Sequence, residues 1–137
     1  MIYTVTLNPA LDKTVQIPNF HPGEVNRITA LRTDPGGKGI NVSKVLHALS
    51  ESSVAAAILG GATGQRIADA LQAIGVEGLF LFAQHETRTN LKLIDPAQHT
   101  NTDLNEPGAP VLPETANALL AKLTARLTDG DLVVLSG

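Results

Sequence analysis

The chain has 137 residues, 43% of them hydrophobic and 17% charged, with a formal net charge of -3 and no cysteine. That is enough apolar material for the core of one domain and far from a disordered profile. The slight acidity gives no electrostatic basis for binding nucleic acid or anionic lipid, and the lack of cysteine excludes disulfides, a thiol nucleophile and a cysteine metal site. No apolar run approaches the ~20 residues that span a bilayer, and Met1–Thr6 carries no basic leader, so the expectation is a soluble, cytoplasmic protein.

Ile2 to Leu7 is rich in β-branched and aromatic residues and predicts a buried strand, which Asn8-Pro9-Ala10 breaks. Thr14 to Ile17 alternates and predicts a strand with one wet face. His21-Pro22-Gly23 is a turn signal, and Arg27 to Thr33 predicts a short strand. A loop over Asp34-Pro35-Gly36-Gly37-Lys38-Gly39 leads into a helix over 40–49, whose apolar face carries Val42, Val45, Leu46 and Leu49. Ser53 to Leu59 is a continuous apolar run, as in a parallel strand covered on both faces.

After Gly60-Gly61, a second helix is marked by Ile67, Leu71 and Ile74 and closed by Gly75. Leu79 to Phe82 predicts a strand. Thr89 to Ile94 and Thr100 to Leu104 predict a hairpin outside the main sheet. Pro113 to Leu127 predicts a helix with Ala116, Leu119, Leu120, Leu123 and Leu127 on one face, and Asp131 to Leu135 a last buried strand. Strands alternating with helices indicate an α/β fold with a largely parallel sheet. The strand pairs near 13–33 and 87–105 interrupt that alternation and form a separate small sheet.

Four segments carry chemistry. Asp12 follows the first strand, where open α/β sheets bind ligands, and a carboxylate accepts hydrogen bonds from hydroxyls; Asn, Pro and Asp are also ordinary turn residues. In Gly36-Gly37-Lys38-Gly39-Ile40-Asn41, glycines let a ligand approach the backbone, the helix start favours anions, and Lys38 adds charge. The alternative there is a glycine turn with Asn41 as the N-cap. The order is neither a Walker A loop nor a dinucleotide fingerprint.

Arg88, in Glu86-Thr87-Arg88-Thr89-Asn90, suits two-pronged phosphate recognition or is a solvated strand residue. Ser136 and Gly137 end a buried strand on the ligand side, or form a plain strand-to-loop junction. His21, His47, His85 and His99 lack metal-ligand spacing, and Ser136 has no hydrolase context. These residues together suggest a small polar or phosphorylated ligand.

The strings Thr6-Leu7-Asn8-Pro9-Ala10-Leu11-Asp12 and Gly36-Gly37-Lys38-Gly39-Ile40-Asn41-Val42-Ser43 resemble the PfkB (ribokinase-like) carbohydrate kinases. Within them they resemble the 1-phosphofructokinase and tagatose-6-phosphate kinase group. Thr87-Arg88-Thr89-Asn90-Leu91-Lys92-Leu93 and Asn105-Glu106-Pro107-Gly108 look most like the 1-phosphofructokinase branch. The resemblance runs from Met1 to Gly137.

It implies a Rossmann-like, mostly parallel sheet with helices on both faces and a β-sheet lid, truncated. It also implies a homodimer formed by two clasped lids. By motif position, Asp12 and Asn41 bind sugar hydroxyls, Gly37 and Lys38 hold the sugar through the glycine loop, and Arg88 binds the phosphate beside Ser136 and Gly137. Arg27, in the lid, reaches a partner's site. The implied reaction uses ATP and Mg²⁺ to phosphorylate fructose 1-phosphate, or in the alternative tagatose 6-phosphate. The family's catalytic aspartate lies in a Gly-Ala-Gly-Asp motif that this sequence lacks. The expectation is therefore an N-terminal piece of such a kinase that supplies its sugar-phosphate site, inactive alone, with a non-catalytic binding or dimerisation module as the alternative.

Overall fold

The computed structural model describes residues 1–136. Eight strands and three helices follow one another: β1 (Ile2–Thr6), β2 (Ala10–Gln16), β3 (Ala30–Gly36), α1 (Lys38–Ala48), β4 (Ser53–Gly60), α2 (Gly61–Ala73), β5 (Glu77–Ala83), β6 (Arg88–Asp95), β7 (Thr100–Asn105), α3 (Pro113–Thr124) and β8 (Leu132–Leu135). They form two four-stranded sheets. The first, ordered β5-β4-β1-β8, is parallel throughout. The second, ordered β3-β2-β6-β7, has one parallel pair, β2 with β6, between two antiparallel ones. The fold is thus the expected α/β arrangement with an added small sheet.

β4 fixes the core because every one of its positions is buried. Side chains alternate across a strand, so Ala55, Ala57 and Leu59 pack with Ile40 of α1 and with Ile67 and Leu71 of α2. Val54, Ala56 and Ile58 pack on the opposite face with Tyr3, Val5 and, from α3, Leu119 and Leu123. A third cluster, Val15, Ile17 and Leu93 with Phe20 and Leu91, backs the second sheet. Asp95 closes that sheet's end. Burial raises its carboxyl pKa, but four backbone N–H donors, from Asn19, Phe20, Ala97 and Gln98, outweigh burial and hold it below its ordinary value.

Several expectations change. β2 starts at Ala10, so Asp12 lies within a strand and the turn reading falls. β3 runs through the glycine loop to Gly36 and does not include Arg27. Pro35 is compatible with a strand there because β3 is a sheet edge, where a missing N–H costs no ladder bond. α1 begins at Lys38 with Gly37 as N-cap, so Asn41 is not the cap.

The expected apolar face of α1 is not the buried one. Gly39, Ile40 and Ser43 are inside, while Val45 is 58% and Leu49 67% exposed. The small residues let α1 lie close to β1, where the buried Ser43 and Thr4 hydroxyls share a 2.8 Å hydrogen bond. β8 was expected to be buried, but it pairs only with β1 and leaves Leu132 63% and Leu135 78% exposed. Leu120 of α3 is exposed too, although Leu119 and Leu123 pack as expected. Among the described residues, no helix is long and apolar enough to cross a membrane.

Candidate functional site

Several of the chemistry-bearing residues follow the carboxyl ends of β1 and β4, where such sheets bind ligands, but Asp12, Arg88 and the Lys38–Asn41 pair line separate hollows. β1 ends at Thr6, whose hydroxyl accepts the Ile40 N–H at 3.1 Å and so anchors the start of α1. Gly37, at φ 117°, makes the turn into the helix in a backbone region that side chains disfavour. A Cβ there would also stand 2.8 Å from Thr6 Cγ2. The amino end of α1 and its partial positive charge therefore face the loop.

β4 ends at Gly60, where Thr87 docks. Thr87 Oγ1 accepts the Gly60 N–H at 2.8 Å, and the Thr87 N–H donates to Gly60 O at 2.9 Å. Next to it, the Glu86 carboxylate accepts the Thr63 N–H in the first turn of α2. Hydrogen bonding from Thr63, through its side chain and then its backbone, holds the Glu86 carboxyl below its ordinary pKa. Glu86 thus caps a helix whose own N-cap, Gly60, has no side chain to do so. These contacts fix the base of β6 and aim Arg88.

Arg88 is half-buried and heavily engaged. Its Nη1 donates to Glu106 O at 2.9 Å and to Asn90 Oδ1 at 3.3 Å, and its Nη2 donates to Asn8 O at 3.3 Å. Its Nε is buried and has no partner among the described residues. The chain around Glu106 is latched down from both sides. Thr89 N–H donates to Glu106 Oε2 at 2.9 Å, and Asn8 Nδ2 donates to Pro107 O at 3.0 Å.

Asp12 stands directly opposite Asn90 on the parallel β2–β6 pair, and Ala10 stands opposite Arg88. Asn90 Nδ2 donates to Asp12 Oδ1 at 3.0 Å. The other carboxylate oxygen overhangs Gly36, where a Cβ would fall 2.1 Å from it. Asp12 and Asn90 line a groove of about 460 Å³, together with Asp34, Lys44, Lys92 and Asn105 among others. Its walls mix carboxylates, cations and amides, which suits a hydroxyl-bearing, charged ligand better than an apolar one.

The other expected residues take varied positions. Lys38 and Asn41 are exposed and border an apolar hollow of about 300 Å³ with Val42, Val45 and Leu46. Asn41 connects back to the groove through Lys44, whose Nζ donates to Asn41 Oδ1 at 3.4 Å and to Pro35 O at 2.9 Å. Ser136 follows β8, with its N–H donating to Val5 O at 3.1 Å. Arg27 is exposed in the irregular connection between β2 and β3 and does not line the groove. Gly137 lies outside the described residues.

Sequence reasoning passed over Asn8, Lys44, Thr87, Asn90 and Glu106 as site residues. Only Asn90 carried a local signal: two positions after Arg88 on a strand, it must share Arg88's face. Among the described residues, no group of three or more histidine and acidic side chains is placed to hold a metal ion.

The model of the pfkB family carbohydrate kinases matches residues 5–137. The 1-phosphofructokinase of Rhodobacter capsulatus is 39% identical over 137 residues, covering 99% of this chain and 43% of that protein. The tagatose-6-phosphate kinase of Staphylococcus epidermidis is 31% identical, covering 100% and 44%. The crystal structure of phosphofructokinase-2 from Escherichia coli in complex with fructose-6-phosphate superposes with a TM-score of 0.93 at 32% identity, covering 99% of this chain and 45% of that one. The chain thus spans less than half the length of the relatives it matches.

Proposed function

The chain belongs to the pfkB family of carbohydrate kinases, and on that premise we propose that it supplies the sugar-phosphate site of a 1-phosphofructokinase. The full-length protein transfers the γ-phosphate of ATP, with Mg²⁺, to the 6-hydroxyl of D-fructose 1-phosphate. The observation that carries this reading is the pairing of an anion-binding and a hydroxyl-binding group on adjacent strands: Arg88 on β6 and Asp12 on β2, joined through Asn90. The first suits the existing phosphate and the second the sugar hydroxyls.

In this reading the unpartnered Arg88 Nε is the donor kept for a phosphate oxygen. Asn41 joins Asp12 on the hydroxyls. Gly37 and Lys38 hold the sugar against the loop, and Ser136 and Gly137 line the phosphate end. The second sheet is the lid over the sugar. Its exposed Leu31 and Leu104, with Ile28 and Val25 in the adjoining connection, are the apolar surface on which two cytoplasmic subunits clasp, bringing Arg27 to the partner's site.

ATP and Mg²⁺ supply the phosphoryl group and neutralise its charge when bound. No residue of this chain is assigned as the base, since the sequence has no Gly-Ala-Gly-Asp string. That lack, with the coverage below one half, favours a second reading for the 137 residues taken alone: a binding or dimerisation module.

The two readings divide on one experiment. The full-length protein is expected to convert fructose 1-phosphate and ATP to fructose 1,6-bisphosphate in a coupled assay, and the 137-residue chain to give no turnover. Turnover by the isolated chain, with its mass verified, would overturn the assignment of the base to a part outside it.

A further inference from the structure

Arg88 and Asp12 carry opposite charges two register positions apart on paired strands, yet no ion pair is formed between them. Asn90 stands between. Its Oδ1 accepts from Arg88 Nη1 at 3.3 Å and its Nδ2 donates to Asp12 Oδ1 at 3.0 Å. The chemistry of the neighbours fixes this amide's orientation. A guanidinium only donates and an ionised carboxylate only accepts, so the carbonyl must face Arg88 and the NH₂ must face Asp12. Aspartate could serve only the arginine, and leucine could serve neither.

We propose that Asn90 is the positioning residue of the sugar-phosphate site, holding Asp12 and Arg88 apart and aligned so that each remains available to its own end of the substrate. The proposal rests on the functional reading above and extends it to a residue that touches neither reacting atom. Without Asn90, the guanidinium loses one of its three anchors and nothing stands between it and the carboxylate, so it can lean onto Asp12. The pair would then satisfy itself at the expense of the phosphate and the hydroxyls. With Asn90, one Asp12 oxygen is pinned and the other stays open over Gly36. The amide also links the two ends: a phosphate that draws on Arg88 polarises Asn90, and through it Asp12.

Two variants of the full-length protein test this, with fold checked by circular dichroism. Asn90→Leu is expected to raise KM for fructose 1-phosphate by roughly tenfold or more, with a much smaller change in kcat, because ground-state and transition-state binding fall together. Asn90→Asp sets two carboxylates face to face, and at low pH they share one proton, which restores a donor toward Asp12. Its KM is therefore expected to recover as pH is lowered from about 8 toward 6, a trend absent from the unaltered protein.

A KM unchanged in Asn90→Leu, or an Asn90→Asp pH profile parallel to the unaltered one, would overturn the proposal. Should either variant misfold, the Asn90 side-chain amide resonance of the unaltered protein decides. It is expected to shift on titration with inorganic phosphate, and no shift would overturn the proposal. An unaltered protein without activity on fructose 1-phosphate would reject the functional reading alone, since the response of Asn90 to inorganic phosphate is read independently.

Discussion

Arg88→Ala in the full-length protein is expected to raise KM for fructose 1-phosphate strongly, and Arg88→Lys is expected to restore little of the loss. The guanidinium reaches three acceptors at once, Asn8 O, Glu106 O and Asn90 Oδ1, from two nitrogens, and its buried Nε has no partner among the described residues. A lysine ammonium is a single point charge at the end of a flexible stem and cannot reproduce that fork. A charge-assisted hydrogen bond contributes about 1.5–3 kcal/mol, which converts to a roughly 10- to 150-fold fall in kcat/KM. Alanine also releases the Glu106 carbonyl, so the latch at residues 105–108 loosens and the melting temperature falls with it. Steady-state kinetics of both variants check this. Unchanged KM in both would leave Arg88 only the structural role of holding residues 105–108.

Gly39→Ala is expected to destabilise the fold by about 2 kcal/mol even though alanine is the better helix former by about 1 kcal/mol. Gly39 lies in the first turn of α1, and a Cβ there would fall 2.5 Å from Thr6 Oγ1 and 2.9 Å from Val5 O. Neither atom can move aside cheaply. β1 is clamped between β4 and β8, and Thr6 Oγ1 already holds the Ile40 N–H. The helix must therefore lift off the sheet, which strains the buried Thr4–Ser43 hydrogen bond and displaces the Gly37-Lys38 loop. Because propensity and contact act in opposite directions, the sign of the change isolates the contact. Urea unfolding should give a lower midpoint with an unchanged slope. A neutral or stabilising substitution would mean that α1 can shift without cost.

These sites differ in how far the sequence exposes them. The apolar run of β4 announces its own burial because the signal is local, and the same holds for Leu119 and Leu123 of α3. Asp12 is read ambiguously because Asn8-Pro9 is a strong turn signal, while the strand that absorbs Asp12 is defined by pairing with residues 34 and 90. That pairing is set by register between distant segments, which periodicity does not encode.

α1 misleads for a related reason. Its most apolar stripe, Val45 and Leu49, is outward, and the face it packs is built from Gly39, Ile40 and Ser43. Close approach to β1 demands small residues, so burial follows size there more than hydrophobicity. β8 reads as buried from composition alone, but at the end of the sheet order three of its four positions are exposed in this chain. The role of Asn90 becomes legible only when β2 and β6 are laid side by side.

If this chain forms the sugar-phosphate site of an enzyme that acts on fructose 1-phosphate, as proposed, the full-length protein must favour that sugar over its isomers. Comparing kcat/KM of the full-length protein for fructose 1-phosphate, tagatose 6-phosphate and fructose 6-phosphate tests it most directly. On the proposed reading, a phosphate anchored at Arg88 leaves either end of a furanose able to present its hydroxyl, so discrimination would fall to the intervening hydroxyls and their proposed partners, Asp12 and Asn41. A buried polar group left without its partner costs about 1–3 kcal/mol, so the expected preference for fructose 1-phosphate is roughly ten- to a hundredfold. A higher kcat/KM for tagatose 6-phosphate or fructose 6-phosphate would contradict the account.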